Sequence, residues 1–109
     1  NLPRSIIQTI VFTKGGLDTM KAKFSPFVQK TITLLYSKNR KLTDKIEKQI
    51  ALFESNPKHP SLRLYKLTGM YNNMWSISIT PSVRMVYQYI TQNIAYFVDI
   101  GTHDEVYRK

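Results

Sequence analysis

A chain of 109 residues with 42% hydrophobic content can fill one core and is too short for a second domain. With no cysteine and two histidines, it excludes disulfides, thiolate nucleophiles and thiolate metal sites, and it speaks against a metal centre built on imidazoles. Sixteen Lys and Arg against seven Asp and Glu leave a net charge of +9, so the expected partner is a polyanion, nucleic acid first and an acidic protein second.

No run approaches the roughly 18 apolar residues of a membrane span. The nearest, 6–12, is interrupted by polar residues and lacks a small-residue cleavage pattern, so a soluble, cytoplasmic protein is expected. That run suits either an added strand or a short helix, and Gly15-Gly16 breaks it. Residues 1–19 are set apart as an N-terminal extension with no assigned role, and 20–109 as the folded domain.

Ser25-Pro26 is a helix start, because a Ser hydroxyl accepts a backbone N–H and Pro at the first helical position loses no bond. Val28, Ile32 and Leu35 then recur at i, i+4 and i+7, predicting a helix to about Ser37. A polar turn over 38–41 follows. Thr43 is the expected cap of a second helix, with Asp44 and Glu47 in its first turn, Ile46, Ile50 and Phe53 as its apolar stripe, and Asn56-Pro57 as its end. Such a helical hairpin has apolar faces that need a sheet to cover them.

The sheet is expected next. Residues 62–67 read as a strand with Leu62, Leu64 and Leu67 inward, stopped by Gly69. In 75–80 one face carries Trp75, Ile77 and Ile79, the other Ser76, Ser78 and Thr80. Pro81-Ser82 turns the chain into a strand over 83–90, and Thr91-Gln92-Asn93 into a last strand over 94–100 that ends at Gly101. The fold class is therefore α+β, an N-terminal helical hairpin packed on one face of a twisted antiparallel sheet. The opposite face carries the hydroxyls and receives Arg84 and Lys66. It is either a surface for a phosphodiester backbone or a solvated sheet face with scattered cations.

Beyond Gly101 stand His103 and Tyr107, the one pair suited to proton transfer, since imidazole titrates near neutrality and a phenol can exchange its proton. The alternative is that His103 satisfies a turn and Tyr107 packs on the sheet.

The stretches 59–69, Trp75-Ser76, Arg84-Met85-Val86-Tyr87 and 99–107 resemble the RelE/ParE toxin superfamily, in its YafQ-like and plasmid-stabilisation branch. The likeness covers 20–109, and its most specific part is Gly-Thr-His-Asp-Glu-Val-Tyr over 101–107. It implies a RelE-like microbial RNase fold and the toxin of a type II toxin–antitoxin system, which cleaves mRNA on the ribosome without a metal or other cofactor. In that chemistry the ribose 2′-OH attacks the adjacent phosphate and the 5′-oxygen leaves. By resemblance Arg84 is the phosphate clamp, His103 a general acid or base and Tyr107 its partner. Arg63 and Lys66 match the basic strand that holds RNA, with Lys58, His59, Tyr65 and Ser78 alongside. His59 reads equally as loop structure or as an rRNA contact. Tyr65 and Ser78 stand where many relatives carry a His and an Arg, which implies a weaker or narrower site. The implied partners are mRNA, the ribosome and a cognate acidic antitoxin, with no membrane. Two other readings stay open: a ParE-type inhibitor of DNA gyrase without hydrolysis of its own, and a catalytically weakened relative that binds RNA and antitoxin.

Overall fold

The computed structural model describes residues 20–69 and 73–102. Strand β1 (Lys21–Phe24) comes first, followed by helices α1 (Pro26–Lys38) and α2 (Arg40–Ser55) and a 3-10 turn (Pro60–Leu62). Strands β2 (Tyr65–Lys66), β3 (Trp75–Ser78), β4 (Val83–Thr91) and β5 (Ile94–Thr102) complete a five-stranded sheet ordered β1-β5-β4-β3-β2. The expected α+β layout is present, and β2 to β5 form the antiparallel meander. β1 makes the sheet mixed, because it lies parallel to β5 with Lys21 opposite Ile94 and Phe24 opposite Phe97. Four residues are too few to carry a readable period. Their alternation is nonetheless physical, with Ala22 and Phe24 buried between the outward Lys21 and Lys23.

Ser25 caps α1 as expected, its Oγ accepting from the Val28 N–H at 3.2 Å. The expected cap of α2 is corrected. Asn39, not Thr43, holds that position: its Oδ1 accepts from the Leu42 N–H at 3.2 Å while its own N–H donates to Leu35 O. One non-helical residue thus ends α1 and starts α2, so no four-residue turn is needed, and Thr43 is buried within the helix with Oγ1 donating to Arg40 O.

The strand expected over 62–67 is largely replaced by turn. Pro60 starts the 3-10 turn, His59 caps it through Nδ1, and Arg63 leaves it in the left-handed region at φ 47° and ψ 53°. Only Tyr65–Lys66 then pair with β3. Leu62 and Leu67 are buried as expected, but on opposite sides of this reversal and in different clusters.

The main core joins Val28 and Ile32 of α1, Ile46, Ile50 and Phe53 of α2, and Ile77, Met85, Tyr87, Ala95 and Phe97 of the sheet. Its centre is aromatic, with Phe53 at 5.0 Å from Tyr87 and 5.5 Å from Phe97, ring centroid to centroid, in tilted and edge-on geometry. The last turn of α2 is tied to β1 by Glu54, whose Oε2 accepts the Ala22 N–H at 2.8 Å and whose carbonyl accepts the Met20 N–H at 2.9 Å. Burial pushes the Glu54 carboxyl up to about 7, opposed by that Ala22 hydrogen bond and by Lys21.

The opposite sheet face is not the open hydroxyl surface expected from the alternation. Leu67 and Val86, with Met74 and Val98, form a second apolar cluster there, and Ser76 and Ser78 are both buried. Between the pairs Val86–Asp99 and Tyr87–Phe97 the register skips Val98, a bulge that lets Phe97 and Ile100, three residues apart, both pack on the main core. Among the described residues no helix is long and apolar enough to cross a membrane.

Candidate functional site

Arg84 lies on β4 directly opposite Ser78 of β3 and Gly101 of β5, at the centre of the sheet. Only 8% of it is exposed. A guanidinium is kept in such a place by acceptors in its own plane, and β3 and the reversal before β2 supply them. Its Nε donates to Ser76 Oγ at 2.9 Å, and its Nη2 to Ser76 O at 3.2 Å and to Arg63 O at 2.6 Å. The left-handed conformation of Arg63 turns its carbonyl inward to meet Arg84, which explains why a non-glycine residue holds that strained φ.

Arg84 lines a cleft of about 1310 Å³ between α2, the 3-10 turn and the β3–β4 turn. Lys45 and Lys48 of α2 and Arg63 also reach it, so four cations line the cleft, and none of the described residues around it is acidic. Gln49 closes its floor. Buried between helix and sheet, it donates from Nε2 to Ser78 O at 2.9 Å and to Ser61 O at 3.4 Å, joining the 3-10 turn to β3. At the β3–β4 turn Thr80 Oγ1 accepts the N–H groups of Ser82 and Val83 at 3.2 and 3.0 Å, the expected turn in side-chain form.

Of the residues singled out from sequence, Arg84, Arg63, His59, Tyr65 and Ser78 all line this cleft. Tyr65 is 55% exposed. Ser78 is buried, with its Oγ donating to Thr80 O at 2.9 Å, so it contributes shape. His59 uses Nδ1 to accept the Ser61 N–H at 3.1 Å, in keeping with the loop-structure reading. Lys58 and Lys66 are exposed outside the cleft, and the Lys66 ammonium lies 5.9 Å from the centroid of the Trp75 ring. His103 and Tyr107 lie outside the described residues. β5 runs to Thr102, one residue past the partner of Arg84.

Sequence reasoning missed Lys45, Lys48 and Gln49. Their signal was their position: residues 45, 48, 49 and 52 recur at helical spacing beside the stripe of Ile46, Ile50 and Phe53. Polar side chains bordering a buried stripe are those that meet the rim of the sheet.

No protein-family model matches the chain, and no curated protein matches it in sequence. Solved structures do match in fold. YafQ from E. coli superposes with a TM-score of 0.65 at 16% identity, over 81% of this chain and 98% of that one. A YoeB/ParE toxin from Agrobacterium tumefaciens gives 0.65 at 19% identity, over 77% and 99%. The E. coli DinJ–YafQ toxin–antitoxin complex gives 0.64 at 19% identity, over 82% and 98%. The chain therefore has the fold of the YafQ and YoeB/ParE toxins, and the resemblance to the RelE/ParE toxin superfamily read from its residues holds at the level of that fold.

Proposed function

We propose that the protein is the toxin of a type II toxin–antitoxin pair and an endoribonuclease that cleaves mRNA on the ribosome. The observation that carries this reading is Arg84, a guanidinium anchored by Ser76 and Arg63 and facing a cleft lined by three further cations, in a fold shared with YafQ and YoeB. An anchored fork meets the charge that builds on a phosphate during attack without having to reorganise, and that is where an enzyme gains most over water. In this reading the ribose 2′-OH attacks the phosphate held by Arg84, and the 5′-oxygen departs with a proton. By the resemblance, His103 and Tyr107 exchange the two protons. The neighbour structures that pair YafQ with DinJ and YoeB with YefM support a cognate antitoxin, for which the net charge of +9 suits an acidic chain.

Pulsed expression followed by mapping of mRNA 5′ ends tests the reading. Wild type arrests growth and produces new ends inside translated frames, while Arg84→Ala and His103→Ala produce neither. Arrest without new ends would overturn the ribonuclease reading.

A further inference from the structure

β1 stands at one end of the sheet order, so along one edge it has no neighbouring strand among the described residues. Its backbone groups alternate in direction. The N–H of Lys21 and, just past the strand, that of Ser25 donate inward to Asn93 O and Phe97 O at 2.7 and 2.9 Å. The groups of Met20, Ala22 and Phe24 point the other way, and such a row is a template for pairing with another chain unless something occupies it. Here the helices occupy it. The Met20 N–H donates to Glu54 O at 2.9 Å, the Ala22 N–H donates to Glu54 Oε2 at 2.8 Å, and Phe24 O accepts from Gln29 Nε2 at 2.9 Å. One residue from each helix thus takes the place of a further strand.

The two residues differ in chemistry. Gln29 is neutral at every pH. Glu54, only 7% exposed, stands in the last turn of α2, where the free carbonyls of the helix disfavour an anion. Burial also favours its neutral form and outweighs the Ala22 hydrogen bond and Lys21, which favour the charged one; Lys21 is the one charge of the described residues that acts on it.

We infer that Gln29 and Glu54 form a latch over the outer edge of β1, fixed at the Gln29 end and releasable at the Glu54 end. A protonated Glu54 stays between helix and strand and keeps the Ala22 N–H covered. An ionised Glu54 gains by turning to water and uncovers it. Release does not require β1 to leave the sheet, because its inward bonds do not involve Glu54. The carboxyl holds its proton more tightly in the closed latch than in the open one. Closure is therefore strongest below about pH 4.5, weakens as pH rises towards 7, and levels off above it.

Amide hydrogen exchange followed by NMR from pH 5 to 8, corrected for the intrinsic rise of exchange with pH, tests the latch. In wild type the protection of the Ala22 amide falls roughly tenfold or more between pH 5 and 7 and then levels off. The amides of Lys21 and Ser25, bonded inward, keep their protection. Glu54→Gln retains an acceptor that cannot ionise, so its Ala22 protection is flat across the range. Parallel profiles in wild type and Glu54→Gln overturn the latch. Loss of protection at Lys21 and Ser25 together with Ala22 overturns it too, since the event is then detachment of the whole strand. The carboxyl-carbon shift of Glu54, followed in wild type alone, is a second check that needs no variant: a midpoint near 7 is expected, and one near the ordinary 4.5 overturns the latch. The ribonuclease reading stands or falls separately, on the cleavage ends lost with Arg84→Ala.

Discussion

Arg84 and Arg63 form a two-residue device in which one side chain fixes the other's backbone. The Nη2 bond to Arg63 O and the Nε bond to Ser76 Oγ need a planar fork, which Lys does not have. Arg84→Lys therefore leaves buried acceptors on β3 and at the reversal without their donor, and is expected to cost about 1–3 kcal/mol of stability, read from urea unfolding. Arg63→Gly separates structure from binding. It keeps the carbonyl that Arg84 needs and relieves the left-handed φ, while glycine's extra freedom in the unfolded chain offsets the gain, so stability should stay within about 1 kcal/mol of wild type. Its RNA affinity should fall with the lost cation; a variant that unfolds with Arg63→Gly would refute this account of the reversal. The sequence singled out Arg84 through a family resemblance, by its place at the head of an Arg-x-hydrophobic-Tyr strand. Its anchoring was not, since it depends on a carbonyl 21 residues away that a left-handed residue turns inward. Lys45, Lys48 and Gln49 escaped for a related reason: the stripe at 46, 50 and 53 says which face of a helix is buried, but not which flank the cleft will occupy.

Between elements, the least obvious junction is the one made by Glu54. The amphipathic stripes, the Ser25-Pro26 start and the Pro81-Ser82 turn made two helices on a meander readable, because each is a local property of a few adjacent residues. The parallel β1 was not readable, since its partner β5 lies more than 70 residues on and its own four residues are a short alternation. What holds β1 to the helical layer is a buried carboxyl with a pKa raised to about 7 against an ordinary 4.5. The consequence for pH follows from proton counts. Between about pH 4.5 and 7 the folded chain holds the Glu54 proton and the unfolded chain does not, so the contribution is complete below pH 4.5 and is lost as pH rises through 7. The full shift corresponds to about 3 kcal/mol. Glu54→Gln keeps an acceptor for the Ala22 N–H and cannot ionise. Urea midpoints measured from pH 5 to 8 should therefore drop further for wild type than for Glu54→Gln, by an amount equivalent to roughly 1–3 kcal/mol. Parallel curves for the two proteins would show that Glu54 does not titrate across this range.

At the scale of the whole molecule, sixteen cationic and seven anionic side chains on a domain of this size repel one another more than they attract. The fold tolerates this because a large apolar core lies between the helices and the sheet, with a small second cluster on the other face, and four of the cations line one cleft. Repulsion among them is relieved in two ways, by screening and by a bound polyanion, and the two differ in kind. Screening acts on all the charges and saturates once the Debye length falls to about 8 Å, near physiological salt. The melting temperature should accordingly rise by a few degrees between about 20 and 150 mM NaCl and then level off. A polyanion that binds only the folded state adds stability that grows with its concentration, about 2.7 kcal/mol at a hundredfold excess over Kd, which is roughly 10 °C or more for a domain of this size. Thermal unfolding at fixed ionic strength, with and without single-stranded RNA, separates the two. Lys45→Gln/Lys48→Gln should keep the response to NaCl and lose most of the increment from RNA, because it removes two charges of many but half of the cations at the cleft. A melting temperature that falls with NaCl would show that attraction between charges, not repulsion, dominates the folded state. An RNA increment untouched by the double substitution would move the polyanion to another face of the molecule.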